Sequence, residues 1–534
     1  MKKFVRNLFS GWFFVILILL AEVGAIIVLQ FFSDDVISAI IVAMGAESDL
    51  AVLLETFLIL LYFLLRIIVF IIGVIIFFKI INKPEDPEFK IPWIVGMLLL
   101  PFFFSMMFLI FGNHGLNKKD RIIIDATKAS YNAHFKIKGK EKEAYEEQLG
   151  NAIGAVNYIH NTTKLSAHSH NKVTYYKNGE TFFPAMIEGL KQAKEFIFME
   201  FFIISDGKEW SEVRKILIEK AEQGVDVRLI YDDMGCSGTI SHFTPRMLKK
   251  HGIKCYKFHP FKPLLSGIYN NRDHRKIVII DHQMGFTGGI NLADEYANLV
   301  KRFGYWKDTM VKIEGSGINN LIVTFLQNYN LCSSKVSDYN KFLDYDYPQY
   351  DEEGFVMPFG DGPGGIDDAL IGEQTYINIL NFAKKSCYIS TPYLIPTYQL
   401  TDALRNAALR GVDVHLIVPG IPDKKLVYKV AQSNFRYLLD AGVHIYTYSP
   451  GFNHMKSALA DDELAFVGTI NFDFRSLVHH FECGTLLYKN PCLKEIREDF
   501  DEMISASKVV PVNYKPKMGT RWITSLIKII TPLL

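Results

Sequence analysis

One stretch of this chain occurs twice, and any fold must accommodate both copies. The first reads His274, Lys276, Asp281, Gly288, Gly289 and Asn291; the second reads His454, Lys456, Asp461, Gly468, Thr469 and Asn471. Both fit one template: His, any residue, Lys, four residues, Asp, six residues, Gly, a small residue, any residue, Asn. The two histidines stand 180 residues apart. A lone His-x-Lys carries no information. Six positions repeated in register point to duplicated halves that share one chemistry.

Each copy opens on an apolar run (277–280 and 458–460) that reads as a buried strand. Side chains alternate along a strand, so His274 shares a face with Lys276, and His454 with Lys456. An imidazole beside a fixed cation suits a phosphoryl group. Imidazole attacks phosphorus or moves a proton near neutral pH. Lysine, the Asn291 and Asn471 amides and backbone N–H groups near a glycine turn hold anionic oxygens. Asp281 and Asp461 have the opposite parity, so each points away from its own histidine and braces the turn. A carboxylate from elsewhere must then orient each imidazole; Glu482 and Asp308 are the candidates. Single histidines more often serve as structural hydrogen-bonding groups, and His242, His259, His282, His479 and His480 are read that way.

These residues resemble the phospholipase D superfamily, whose two halves each supply one His-x-Lys-x4-Asp motif to a shared site. The hydrophobic N-terminus, the run 288–296 and the sequence Trp306-Lys307-Asp308-Thr309 narrow the resemblance to the bacterial cardiolipin synthases. One departure is Lys307, where the family pattern has arginine, another cation. The resemblance implies a catalytic set of His274, Lys276, Asp281, His454, Lys456 and Asp461. It implies phosphate-binding or supporting roles for Gly289, Asn291, Asp308, Thr469, Asn471 and Glu482. It further implies transfer of a phosphatidyl group between two phosphatidylglycerol molecules, giving cardiolipin and glycerol through a phosphatidyl-histidine, with His274 as nucleophile. No cofactor and no metal are implied. Hydrolysis by water and transfer to another headgroup are the alternatives on this scaffold.

At 534 residues the chain is long enough for more than one domain. Its net charge of +1 makes no case for nucleic acid as a partner. Six cysteines without CxxC or His-ligand spacing predict neither a disulfide framework nor a zinc site. Hydrophobic residues make up 49%, which points to membrane segments. The expected order is an N-terminal membrane region (1–115) with apolar runs at 8–32, 56–78 and 91–111, then a linker (116–165). Two phospholipase D-like halves (166–340 and 341–510) and a C-terminal interfacial segment (511–534) follow. Homo-oligomerisation stays open, and the expected location is the bacterial cell membrane, crossed several times. The segment 33–55 has five acids and no Lys or Arg, whereas the link 79–90 is polar, rich in Pro, Glu and Lys, and carries Lys79, Lys83 and Lys90. The positive-inside rule therefore places that link in the cytoplasm. If all three runs cross, the catalytic region lies outside, which Lys118, Lys119 and Arg121 argue against. Glu22 and Arg66, both in apolar runs, are expected to pair.

Beyond 165, helical and extended patterns alternate. In the first half these are a hairpin at 175–181 turning on Asn178-Gly179, helices at 183–194 and 209–223, and strands at 196–204 and 225–231. In the second half, helices at 369–383 and 398–410 alternate with strands at 387–394 and 412–418. The fold class is α/β, in two pseudo-symmetric halves of mostly parallel sheet flanked by helices. The segment 338–363 joins them.

Overall fold

The structure is a computed structural model that describes residues 49–83, 85–112, 115–135, 140–260, 270–363 and 369–515, together with 524, 527 and 528. The first apolar run, Glu22, the Arg66 side chain and most of the C-terminal segment lie outside the described residues. The chain divides into two compact units at residue 114.

Among the described residues the N-terminal unit holds three helices: α1 (Asp49–Ile81), α2 (Pro87–Leu99) and α3 (Pro101–Phe111). The run 91–111 is therefore not one span. Pro101 has no N–H to continue the helix, and it forces Leu100 out of the helical region, to φ −137° and ψ 81°. The two halves of the run fold back on each other. Trp93 meets Phe108 edge-on at 5.4 Å, and Gly96 leaves room for the Phe104 ring, which a Cβ would approach to 2.2 Å. The hairpin closes where it began, since the Lys83 ammonium donates to the Gly112 carbonyl at 3.1 Å. At 1.5 Å per residue α2 and α3 are about 20 Å and 16 Å long, short of a hydrocarbon core of about 30 Å. Counting only residues whose side chains are described, no helix is long and apolar enough to cross a membrane. Within the 33 residues of α1, several side chains between 51 and 66 lie outside that description.

The second unit opens with helices at Lys118–Tyr131, Lys140–Leu149 and Ile153–Thr163. This segment, expected as a linker, is helical and packs into the unit, although the helix Lys140–Leu149 is solvated over residues 143–148. Tyr131, Leu149 and Ile159 are fully buried, and the Tyr131 hydroxyl donates to the Thr163 carbonyl. The first half then supplies β1 (Lys172–Tyr176), β2 (Phe196–Phe201), β3 (Asp226–Asp232), β4 (Lys254–Phe258), β5 (Lys276–Ile280), β6 (Met284–Gly288), β7 (Tyr305–Lys307) and β8 (Met310–Glu314). All but β7 form one sheet, ordered β1-β8-β6-β5-β2-β3-β4. The second half supplies β9 (Phe355–Asp361), β10 (Ser386–Ser390), β11 (Leu394–Ile395), β12 (Asp413–Pro419), β13 (His444–Tyr448), β14 (Gly451–Asn453), β15 (Ser457–Ala460), β16 (Leu464–Gly468), β17 (Phe472–Asp473), β18 (Glu482–Tyr488) and β19 (Ser507–Val509). Its main sheet is ordered β19-β13-β12-β10-β15-β16-β18-β9, so the two halves repeat one topology with an extra strand in the second.

The expectation of mostly parallel sheets is corrected. Within the two main sheets only β2-β3-β4 and β10-β12-β13 run parallel, through crossover helices; the short pairs β11-β17 and β7-β14 are parallel as well. Each motif strand instead turns tightly into its neighbour, β5 into β6 and β15 into β16, and a hairpin is antiparallel by construction. Nor do residues 175–181 form a hairpin. Asn178 caps the helix Gly179–Gln192, its side chain accepting from the Thr181 N–H, and β1 pairs with the distant β8. Buried side chains on facing strands of the two sheets, Ile277 and Val311 in one and Phe466 and Leu486 in the other, belong to a single core.

Candidate active site

The motif strands β5 and β15 are buried at every residue, and their amino-terminal ends carry the histidines toward the seam between the halves. There the halves exchange partners. The His274 N–H donates to the Phe481 carbonyl of the second half at 2.8 Å, and the His454 N–H to the Lys307 carbonyl of the first at 2.7 Å. The side chains follow the same pattern. His274 Nδ1 lies 2.9 and 3.0 Å from the two Glu482 carboxylate oxygens. His454 Nδ1 lies 2.6 Å from Asp308 Oδ2. Each imidazole is thus oriented by a carboxylate from the other half, which leaves Nε2 as the atom available to a substrate.

The small residue of each motif attends to that carboxylate. The Thr469 hydroxyl donates to Glu482, and Ser476 donates to the other oxygen at 2.6 Å. At the equivalent position Gly289 makes room: a Cβ there would stand 2.0 Å from Asp308 Oδ1. Asn291 bonds the Tyr296 hydroxyl and the Ile203 N–H, and Tyr296 packs against His454 at 5.6 Å. Asn471 is buried, and its Oδ1 has no hydrogen-bond partner among the described residues.

Lys276 and Lys456 are fully buried, each donating to the carbonyl of its own motif histidine. Burial pushes the Lys276 ammonium down to about 8 and Lys456 to about 7, against the pull of Glu482 and Asp308. Burial likewise lowers both imidazoles, His454 to about 4 and His274 well below its ordinary range, with their carboxylates opposing. Lys276 is also among the charges that lower His454 and Lys456. Burial also raises the Glu482 carboxyl, but His274 and His480 outweigh it and hold the group well below the usual carboxylate range. A neighbouring anion would favour the charged form of each lysine.

Asp281 and Asp461 do not join the other motif residues. Each lies at the far end of its strand, five residues past the lysine and about 16 Å away along the backbone. Asp281 accepts from the N–H groups of Lys194, Glu195 and Phe196. Asp461 accepts from those of Lys384, Lys385 and Ser386. They tie the motif hairpin to the loop before β2 or β10, as their strand parity indicated, and are removed from the set that touches a substrate.

Two residues escaped the sequence reading. His480 lies with its ring 5.4 Å from that of His274 and its Nδ1 3.5 Å from Glu482. Its signal was its spacing two residues before Glu482. With His274 and Glu482 it forms a group whose ligand atoms lie within 4.8 Å of one another and could hold a metal ion. Arg275, between the first motif's His and Lys, is fully buried and donates to the carbonyls of Glu482, Thr324 and Asp361, fastening the two halves together. The second motif has Met455 there, so the template gave no warning.

Comparison with known proteins fits this geometry. A sequence profile described as "Cardiolipin synthase, PLD-like domain" matches residues 186–319 and 376–504, one block in each half. Cardiolipin synthase 2 of Bacillus anthracis is 33% identical over 481 residues, 87% of this chain and 90% of its own length. The chain belongs to the cardiolipin synthase family of the phospholipase D superfamily. A Streptococcus mutans protein described only as uncharacterized is 40% identical over 85% of this chain and 98% of its own length. Among solved structures, phosphatidylserine synthase of Haemophilus influenzae superposes with a TM-score of 0.55 at 15% identity, over 71% of this chain and 100% of that one, which shows the shared fold. As a member of the cardiolipin synthase family, the chain is a phosphatidyltransferase.

Proposed function

We propose that the chain joins two phosphatidylglycerol molecules into cardiolipin and releases glycerol. In the first half-reaction His274 Nε2 attacks the phosphorus of one lipid. The N–P bond forms as the P–O bond to glycerol breaks, and protonated His454 gives its proton to the departing oxygen. In the second, His454 takes the proton from a headgroup hydroxyl of another phosphatidylglycerol. That oxygen attacks the phosphorus, and His274 leaves. Lys276 and Lys456 hold the anionic phosphoryl oxygens throughout. Charge logic supports this order. The resting imidazoles are held neutral, which suits a nucleophile, and the negative phosphodiester draws a proton onto the second.

The observation that carries the reading is the reciprocal pairing, His274 with Glu482 and His454 with Asp308, around two buried lysines. The purified protein, given phosphatidylglycerol in detergent, is expected to yield cardiolipin with free glycerol. Phosphatidic acid without cardiolipin would make it a hydrolase instead.

The membrane region supports a lipid substrate. Phe57, Leu60, Phe70, Ile75 and Phe78 of α1 and Leu98 and Leu99 of α2 are largely exposed. A band of that size is not stable against water. In this reading α1 spans the bilayer, and α2–α3 is a re-entrant hairpin that returns to the side it entered. The chain then leaves at Gly112 on the side of the 79–90 link. With Lys79, Lys83 and Lys90 in that link, that side is the cytoplasm.

A further inference from the structure

We propose that three loops around the mouth of the two-histidine site form a docking rim that enters the surface of an anionic bilayer. The inference rests on the lipid reaction proposed above and adds where the catalytic unit touches its substrate's membrane.

Strand direction places the loops. Phe201 pairs with Lys276, so the carboxyl ends of β2 and β3 lie beside His274. The loop 233–243 leaves from there. Ile277 pairs with Thr287, so β6 also ends at that edge, and the loop 291–304 follows it. In the second half Ser390 pairs with Ser457, which sets the carboxyl ends of β10 and β12 beside His454. The segment 420–426 leaves from β12. All three segments therefore emerge at the seam that holds the motifs.

They are held there by specific bonds. Asp232 accepts from the N–H groups of Met234 and Gly235 with one oxygen and from Asp273, next to His274, with the other. Asn298 bonds both the N–H and the carbonyl of Trp306, whose ring packs against His454. Asp423 accepts from the Tyr393 hydroxyl at 2.7 Å. The loops of the two halves meet, since a Cβ on Gly304 would stand 3.4 Å from Ile421 Cδ1.

Rigidly placed, these segments still turn apolar side chains to solvent. Met234, Phe243, Leu299, Val300, Ile421 and Leu426 are 40–64% exposed. Exposed cations stand among them: Lys301, Lys424, Lys425 and Arg302, the last paired with Glu295 at 3.5 Å. Apolar tips interleaved with lysines match a bilayer whose acyl region lies beneath anionic headgroups. A phosphatidylglycerol surface supplies that charge. It also lets a lipid raise its phosphate to the histidines while its acyl chains stay in the membrane.

The test uses the full chain with Phe243→Ser, Leu299→Ser, Val300→Ser and Ile421→Ser combined. These side chains are exposed, so melting should match the wild type. Turnover is measured on phosphatidylglycerol in bilayer nanodiscs and on a short-chain phosphatidylglycerol below its critical micelle concentration. The expected result is a loss of about tenfold or more on the bilayer, with the monomeric substrate turned over within about twofold of wild type. Equal loss on both substrates, or no loss on either, overturns the proposal. Phe243→Trp, read against the protein's own five tryptophans, is expected to gain fluorescence that bromine-labelled lipid quenches. Absence of quenching overturns the proposal and leaves the rim to a protein partner. The quenching needs no catalysis, so it decides the docking even if neither substrate is converted.

Discussion

Asp308→Asn separates charge from proton position at the second histidine. Asp308 Oδ1 accepts from the buried Thr309 N–H at 2.8 Å, and Oδ2 faces His454 Nδ1 at 2.6 Å. An asparagine has one acceptor for these two donors. With its oxygen on Thr309, its NH2 faces His454 and forces the ring proton from Nδ1 onto Nε2, the atom that must receive the substrate's proton. Turning the amide over restores the productive tautomer but sets NH2 against the Thr309 N–H, at a cost of about 1–3 kcal/mol for a buried unpaired donor. The unproductive tautomer is therefore favoured by roughly 5- to 150-fold, since about 1.4 kcal/mol is a factor of ten. Loss of the carboxylate charge beside the imidazolium adds to this, and the turnover of Asp308→Asn is expected to fall by about 10³- to 10⁴-fold, as when a triad aspartate is so replaced. Glu482→Gln should be milder, about 10²-fold or less, because two of its other neighbours besides His480 are hydroxyls, Thr469 and Ser476, which can turn to accept from the new NH2. The assay is initial rate of cardiolipin formation in mixed micelles, with thermal melting as the control for folding. If Asp308→Asn keeps more than about a tenth of the activity, or Glu482→Gln is the more damaging of the two, the tautomer argument is wrong.

Gly289→Ala should displace the Asp308 carboxylate and match Asp308→Asn in lost turnover with little change in melting; retained activity would show that the strand can shift to make room. Asp281→Asn should lower stability by about 1–3 kcal/mol, because one of three backbone donors then faces an NH2, and leave kcat near wild type at low temperature; lost kcat with unchanged melting would return Asp281 to the catalytic set. Because Lys276 and Lys456 titrate near 8 and 7 when folded and near 10.5 when free, the unfolded chain binds more protons between those values. Ligand-free stability should therefore rise with pH across that window, while protection by inorganic phosphate, which needs charged lysines, should weaken; melting with and without phosphate at about pH 6.5 and 9 checks both signs. Zinc is expected to inhibit by bridging His274, His480 and Glu482, and His480→Asn to relieve it; equal inhibition of both proteins would place the metal elsewhere.

What the sequence made legible was what alternation along a strand determines. Parity set Asp281 and Asp461 apart from their histidines, and the need for a carboxylate on each imidazole pointed to Glu482 and Asp308. What stayed hidden depends on packing between distant segments. Pro101 sat in plain view, but whether it kinks a helix or reverses the chain is decided by Gly96 and Trp93 accepting Phe104 and Phe108. Residues 118–163 look polar because their helices bury only one face, and that face meets helices and a strand far along the chain. The local Asn-Gly signal at 178–179 yielded to a helix cap once β1 found β8. Arg275 and His480 act across the seam, where one motif's pattern carries no information about the other.

The exchange of carboxylates between halves has a further consequence. Competence is a property of the clasp between two lobes rather than of either lobe. A substitution that lets them part by a fraction of an ångström, at Arg275 for instance, would slacken both imidazoles at once. Rate would then register it before melting does, so turnover serves as the finer gauge of how firmly this duplicated protein holds itself together.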